Sequence, residues 1–272
     1  MRVTVVTYGL DPYLKEVRKC AYCIYAIKSV VQTQLESYCV DLVNVFSPTE
    51  PVLIVSTHLD DAVLSCGHFL SKSPPAVVLT VLAGAPEKLR EGYNANTTGE
   101  IYAPDAIRKR RNEDAAAMNF LSVRSPVWLG HYDNDFMHWI RRRKDHKEIV
   151  RAIELAIREI GAGSVVTPLG LKHSDHVAIA NACIELAKNS DLEWYLYMDM
   201  PYAQRRPKEL RKREAFVRTI LNLDELEPVQ IDTHQKHEAF KLYESQYVPI
   251  GGWKPEFDQE MMTAEKYWLV LR

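Results

Sequence analysis

Two short clusters in this chain concentrate side chains that bind metals and move protons. The first is Thr57-His58-Leu59-Asp60-Asp61-Ala62 and the second is His173-Ser174-Asp175-His176. Imidazole nitrogen and carboxylate oxygen suit zinc, and a catalytic zinc commonly has three protein ligands and one open position. Two His and one Asp meet that count. A further carboxylate beside the ion can take a proton from water, whose pKa the metal lowers towards about 7. A further His can protonate a leaving amine or polarise a carbonyl. The two clusters together supply all five groups. Each alone has a plainer reading. Paired carboxylates after a strand are favoured as helix caps, and H-x-D-H is also compatible with a polar loop.

The elements around them decide whether the clusters meet. Short β-branched runs at 52–56, 76–82, 126–129, 164–167 and 193–198 read as strands. Between them, helical patterns run at 61–72, 105–121, 145–160 and 176–188, with more helix near 208–221 and 234–245. This alternation predicts an α/β, Rossmann-like open sheet, mostly parallel, with helices on both faces. The first strand runs straight into the first cluster, and the fourth runs into the second through Pro168-Leu169-Gly170-Leu171-Lys172. In the common 3-2-1-4-5 order, strands 1 and 4 are neighbours where the winding reverses. Both clusters then face one crevice at the carboxyl ends of strands 1 and 4.

Residues 84–104 read as a long surface loop, the kind that is often functional. The first fifty residues hold a possible strand at 3–7 and a possible helix at 14–35, followed by a break at Ser47-Pro48-Thr49-Glu50-Pro51. They are read as an N-terminal extension, 1–50, ahead of a catalytic domain, 51–272.

Composition narrows the class. A net charge of −2 over 272 residues gives no electrostatic case for nucleic acid or an anionic membrane. The basic runs Arg108–Arg111 and Arg141–Lys144 read as solvated helix faces. Cysteines at 20, 23, 39, 66 and 183 form neither a disulfide framework nor a paired zinc ribbon. No apolar stretch is long enough for a transmembrane segment, and the N-terminus lacks a secretory pattern. A cytoplasmic enzyme is expected.

Residues 56–67, Ser-Thr-His-Leu-Asp-Asp-Ala-Val-Leu-Ser-Cys-Gly, resemble the signature of the PIG-L/LmbE family of N-acetylglucosaminyl deacetylases, and His173-Ser174-Asp175-His176 resembles its H-x-D-H. Arg110-Arg111-Asn112-Glu113 is similar to its R-x-x-E helix and Met198-Asp199-Met200-Pro201-Tyr202-Ala203 to a late Y-E-D-x-P-Y-A segment. Lys236, Tyr243, Ser245 and Gln246 are similar to a K…Y-x-S-Q element. The resemblance spans about residues 50–270. It implies that His58, Asp61 and His176 bind zinc or another divalent metal, and that Asp60 is the general base. It implies that His173 stabilises the oxyanion or protonates the amine, with Asp175 orienting its ring. Substrate contacts fall to Arg110, with Arg111 one residue away, and to Asp133. Leu59 replaces a commoner proline, His68 a commoner glycine, and Met-Asp-Met a commoner Glu-Asp; no catalytic group is lost.

His68 reads as a packing residue and His131 and His138 as possible substrate contacts; His146, His234 and His237 read as surface or core. Trp194, Tyr195 and Tyr197 read as core, whereas Trp253 is a candidate to lie against a sugar. Three functions compete. One is an N-deacetylase on an N-acetylglucosamine-type small molecule or glycoconjugate. Another is an amidase on a different acyl amide, such as a thiol conjugate or an antibiotic or natural-product intermediate. The third is a non-catalytic doubly wound binding protein, which the full set of five groups and the lack of G-x-G-x-x-G disfavour. Substrate choice is assigned to loops 84–104, 131–144 and 247–262.

Overall fold

Strand β1 (Val52–Ser56) has all five side chains buried, and so do β2 (Ala76–Thr80) and β4 (Ser164–Pro168). Continuous burial is what parallel strands covered on both faces require, and it explains their unbroken Val/Leu/Ile runs. In this computed structural model, the described residues are 46–72, 76–85, 103–123, 126–133, 142–229, 234–252, 254, 256–257, 259 and 263–272. With β3 (Val127–Trp128), β5 (Glu193–Tyr197), β6 (Asn222–Glu225) and β7 (Tyr267–Leu271), the strands form one sheet in the order β3-β2-β1-β4-β5-β7-β6. The first five are parallel in the expected 3-2-1-4-5 order, and β7 and β6 close that side antiparallel. Leu53 pairs with Val165 and Ile54 with Val166, so the two cluster-bearing strands are direct neighbours.

The helices are α1 (Asp61–Lys72), α2 (Ala103–Phe120), α3 (Arg142–Ile160), α4 (Ser174–Lys188), α5 (Tyr202–Arg205), α6 (Pro207–Arg218), α7 (His234–Lys241) and α8 (Glu244–Ile250). Two local expectations are corrected. The helix expected over 208–221 stops at Arg218, and the chain enters β6 at Asn222. The helix expected over 234–245 is broken at Tyr243, whose ring is buried and whose hydroxyl donates to Asp114 Oδ1 at 2.7 Å. A tertiary bond thus overrides the local helical preference.

Helix α1 is itself bent at Cys66 (φ −130°, ψ 16°), which frees the backbone N–H groups beyond it. Glu265 accepts from His68 N at 2.8 Å and Phe69 N at 3.1 Å, and pairs with buried Lys236 at 3.2 Å. Gly67 makes room: a Cβ there would lie 2.7 Å from Lys236 Cγ. His68 is buried on this helix. Trp194, Tyr195 and Tyr197 are core residues of β5.

The chain divides into units Met1–Val43 and Asn44–Arg272. Within the second, Phe46 stacks on Tyr267 (centroids 3.7 Å apart) and Thr49 N donates to Glu193 at 2.9 Å. The strand at 3–7, the helix at 14–35, Cys20, Cys23, Cys39, His138, Trp253 and much of the three variable loops lie outside the described residues. Among the described residues no helix is long and apolar enough to cross a membrane.

Candidate active site

At the carboxyl end of β1 the chain folds back tightly. The Ser56 hydroxyl donates to the His58 carbonyl at 2.6 Å and accepts from Ala62 N at 3.1 Å. Asp61 Oδ2 accepts from His58 N at 2.9 Å. This turn starts α1 and sets His58 and Asp61 side by side, with Nδ1 and Oδ2 3.2 Å apart.

At the end of β4, Gly170 has φ +89°, and a Cβ there would lie 2.6 Å from Ala180 Cβ, so only glycine fits. His173 then caps α4, its Nδ1 accepting from Asp175 N at 3.4 Å. The first turn of α4 delivers His176, whose Nε2 is 3.3 Å from Asp61 Oδ2. Ligands about 2.0 to 2.2 Å from a tetrahedral ion lie roughly 3.3 to 3.6 Å apart, so these donor spacings fit one zinc-sized ion. All three donor atoms lie within 4.8 Å of one another. His176 Nε2 is buried and has no hydrogen-bond partner, as expected of a nitrogen reserved for a metal.

The sequence reading missed what holds His176. Asp199, buried after β5, accepts from His176 Nδ1 at 2.8 Å and from Gly170 N at 2.8 Å. A carboxylate only accepts, so the hydrogen sits on Nδ1 and the Nε2 lone pair faces Asp61. Carboxylate–His pairs of this kind orient metal ligands. The signal was present in the late segment containing Asp199, but nothing local tied it to His176.

The remaining predicted residues converge on the same crevice. A cavity of about 220 Å³ is lined by His58, Asp60, Asp61, Arg110, Asp133 and His173 together with Leu59, Tyr202, Gln246, Pro249 and Ile250. Asp133 Oδ2 lies 3.7 Å from His58 Nε2 and 3.8 Å from the Arg110 guanidinium. Asp175 Oδ2 stands between two rings, 3.5 Å from His58 Nε2 and 3.6 Å from His173 Nδ1. His173 Nδ1 thus faces both the backbone N–H and the carboxylate of Asp175. Of the two adjacent arginines, Arg110 faces the cavity. Arg111 turns away, donating from Nε to Ala83 O at 2.9 Å and lying over Trp128. His146 pairs with Glu185 at 2.9 Å and is not among the residues lining this cavity.

Helix α8, which supplies Gln246, Pro249 and Ile250, is tied to α2. The Ser245 N–H and hydroxyl both donate to Glu113, at 3.0 and 2.6 Å, and Gln246 Nε2 donates to Ser245 Oγ at 3.0 Å. The K…Y-x-S-Q element is therefore the anchor of one wall.

The electrostatics separate the two adjacent carboxylates. Burial pushes Asp60 up, and the Asp61 charge adds to this. Asp61 is also buried, but His176 and His58 outweigh the burial and hold it well below the usual carboxylate range. Burial pulls His58 and His176 down, yet facing carboxylates reverse this and both imidazoles are raised. Burial and the His58 charge hold His173 down. Neighbouring titratable groups with diverging affinities for protons are the pattern of acid–base sites.

The family described as PIG-L: GlcNAc-PI de-N-acetylase matches residues 53–187, a stretch containing both clusters. Among curated proteins none matches. The crystal structure of the antimicrobial reagent A40926 pseudoaglycone deacetylase Dbv21 is 25% identical, with a TM-score of 0.66 over 81% of this chain and 97% of that one. A triple mutant of a deacetylase in the teicoplanin biosynthetic pathway is 25% identical, with a TM-score of 0.66 over 81% and 98%. A deacetylase–teicoplanin complex, 23% identical with a TM-score of 0.63 over 81% and 98%, shares the fold.

Proposed function

The chain belongs to the PIG-L family, and from that premise we propose that it is a zinc-dependent hydrolase removing an N-acetyl group from an N-acetylglucosamine-type amino sugar or its conjugate. The observation that carries this reading is the convergence of His58, Asp61 and His176 donors at ligand spacing, with Asp60 and His173 on the same cavity.

In this reading His58, Asp61 and His176 hold the ion, and another divalent metal of similar preference fits the same donors. Bound zinc supplies Lewis-acid chemistry, polarising the amide carbonyl and acidifying water. Asp60, raised by burial beside Asp61, takes a proton from the attacking water as general base. His173, with Nδ1 occupied by a backbone N–H, keeps its hydrogen on Nε2 for the oxyanion or the departing amine. Asp175 sits between the rings of His58 and His173 and fixes both. The amide C–N bond breaks, and water is divided between acetate and the free amine. Arg110 and Asp133 offer a donor and an acceptor to substrate hydroxyls, and Tyr202, Gln246, Pro249 and Ile250 form the facing wall.

A second reading keeps the chemistry and changes the substrate to an acyl amide of an antibiotic or natural-product intermediate. It is supported by the two deacetylases acting in antibiotic settings at 25% identity. One experiment addresses both. Metal analysis of the purified protein is followed by an acid-release screen across N-acetyl amino sugars, their conjugates and N-acylated antibiotic pseudoaglycones. Release from simple amino sugars supports the first reading, and release confined to the pseudoaglycones supports the second. Zinc-loaded protein that releases no acid from any amide refutes the hydrolase reading.

A further inference from the structure

We propose that Gln246 determines substrate specificity, its Oε1 accepting a hydrogen bond from one hydroxyl of the amino sugar, with Ser245 and Glu113 as positioning residues that fix this polarity. The proposal rests on the reading of the cavity as the site of an amino-sugar deacetylase.

The chain of bonds starts on α2. Glu113 is buried, and its two oxygens accept from Ser245 N at 3.0 Å and from the Ser245 hydroxyl at 2.6 Å. A carboxylate only accepts and a hydroxyl has one hydrogen, so that hydrogen is committed to Glu113. Ser245 Oγ is left with lone pairs. Gln246 meets them with its amide nitrogen, Nε2 donating to Oγ at 3.0 Å. The opposite amide orientation would set Oε1 against an oxygen with no hydrogen to give, so the network fixes which end of the amide faces Ser245. The backbone beneath is held too. The buried Tyr243 hydroxyl donates to Asp114 Oδ1 at 2.7 Å, and Gln246 N donates to Tyr243 O at 2.9 Å.

The residue that carries this oriented amide lines the same cavity as Asp60, Arg110 and Asp133. Its Oε1 is accessible and makes no hydrogen bond among the described residues. A plainer role, in which Gln246 only braces Ser245, uses the amide nitrogen and leaves the oxygen idle. Small-molecule sites set orientation with a few placed polar groups, and this oxygen is one whose direction the fold has already paid to fix.

The polarity has a chemical consequence. Oε1 can only accept, so it selects a substrate group that donates. A sugar hydroxyl does, whereas hydrogen or fluorine at the same ring position does not. Gln246 therefore reads one hydroxyl from α8, in addition to the hydroxyls assigned to Arg110 and Asp133.

The test compares N-acetylglucosamine with its monodeoxy and monofluoro analogues. It reads kcat/KM for acetate release by the zinc-loaded full chain, and Kd for the same sugars with the Asp60→Asn protein. Each variant is read as a ratio between two sugars, which cancels any loss of folded or metal-loaded protein. At one ring position, wild type is expected to favour hydroxyl over hydrogen by roughly 2- to 10-fold, the share of one neutral hydrogen bond. Fluorine there is expected to be rejected like hydrogen. Gln246→Met is expected to abolish this preference and leave those at other positions. Ser245→Ala, which frees the amide to turn, should reduce it, and Ser245→Thr, which keeps the hydroxyl, should retain it. The same preferences in wild type and Gln246→Met overturn the proposal, as does fluorine accepted as well as hydroxyl at the position that Gln246→Met affects. An undiminished preference in Ser245→Ala overturns the positioning role. Failure of the underlying reading looks different. Sugar binding without acetate release removes the deacetylase reading and leaves the Kd ratios to decide this one, whereas a chain that binds none of the sugars loses both.

Discussion

The carboxylate of Asp199 sets which ring nitrogen of His176 is open to metal, and Asp199→Asn tests this. Asp199 is 1% exposed and accepts two bonds, from His176 Nδ1 and Gly170 N, each at 2.8 Å. An amide replaces one of those acceptors by a donor. If its oxygen serves Gly170 N, its NH₂ faces His176 Nδ1, and the ring hydrogen shifts to Nε2, where the metal should bind. If its oxygen serves His176, two donors collide at Gly170. Both orientations weaken metal binding. Loss of such a partner typically costs 10- to 100-fold in affinity, or about 1.4 to 2.7 kcal/mol. Competition with a chelator of known zinc affinity measures the change directly. At a fixed zinc excess, the stabilisation gained on adding zinc should shrink by the same about 1.4 to 2.7 kcal/mol. That difference excludes a merely structural defect, which would lower zinc-free and zinc-loaded stability together. A folded Asp199→Asn protein with wild-type zinc affinity refutes the reasoning.

Other substitutions probe the remaining parts. Asp60→Asn should keep zinc yet lose roughly 10²- to 10⁴-fold in kcat, the usual share of a general base, whereas Asp61→Ala and His176→Ala should lose the metal; near-normal turnover by Asp60→Asn removes it as the base. Arg110→Ala should raise KM through loss of a charged hydrogen bond, about 1.5 to 3 kcal/mol, while Arg111→Ala leaves KM unchanged and lowers stability; the reverse pattern would exchange their roles. Asp114 is pushed up to about 7 by burial, although Tyr243 and Trp128 donate to it. Its affinity for a proton is higher folded than unfolded, so its stabilising contribution is full below about pH 4 and is lost as pH rises through about 7. Against Asp114→Asn, wild type should therefore lose up to about 4 kcal/mol over that interval, and denaturant unfolding that shows a constant difference contradicts the assignment.

Much of the site was legible in the chain because its signals are local. The unbroken apolar runs of β1 and β4 reveal buried parallel strands, and each cluster follows its strand directly, so adjacency of the strands was enough to bring His58, Asp61 and His176 together. Asp60 and His173 came with them, since each is covalently next to or near one of these three residues. The C-terminal half resisted reading for the opposite reason. β6 and β7 pair antiparallel at the sheet edge, and the break at Tyr243 depends on a bond to Asp114, 129 positions away. Which arginine meets the crevice also lay beyond periodicity: one residue along a helix turns the side chain by about 100°, and only the packing of Arg111 against Ala83 and Trp128 leaves Arg110 facing Asp133. Asp199 belongs to the same class. Its residue type was visible, but its role exists only because β4 and β5 lie side by side and bring Gly170 and His176 within 2.8 Å of one carboxylate. Spacing along the chain determined which groups the site contains. Contacts across the sheet decided their ring orientation, their protonation and the wall they face.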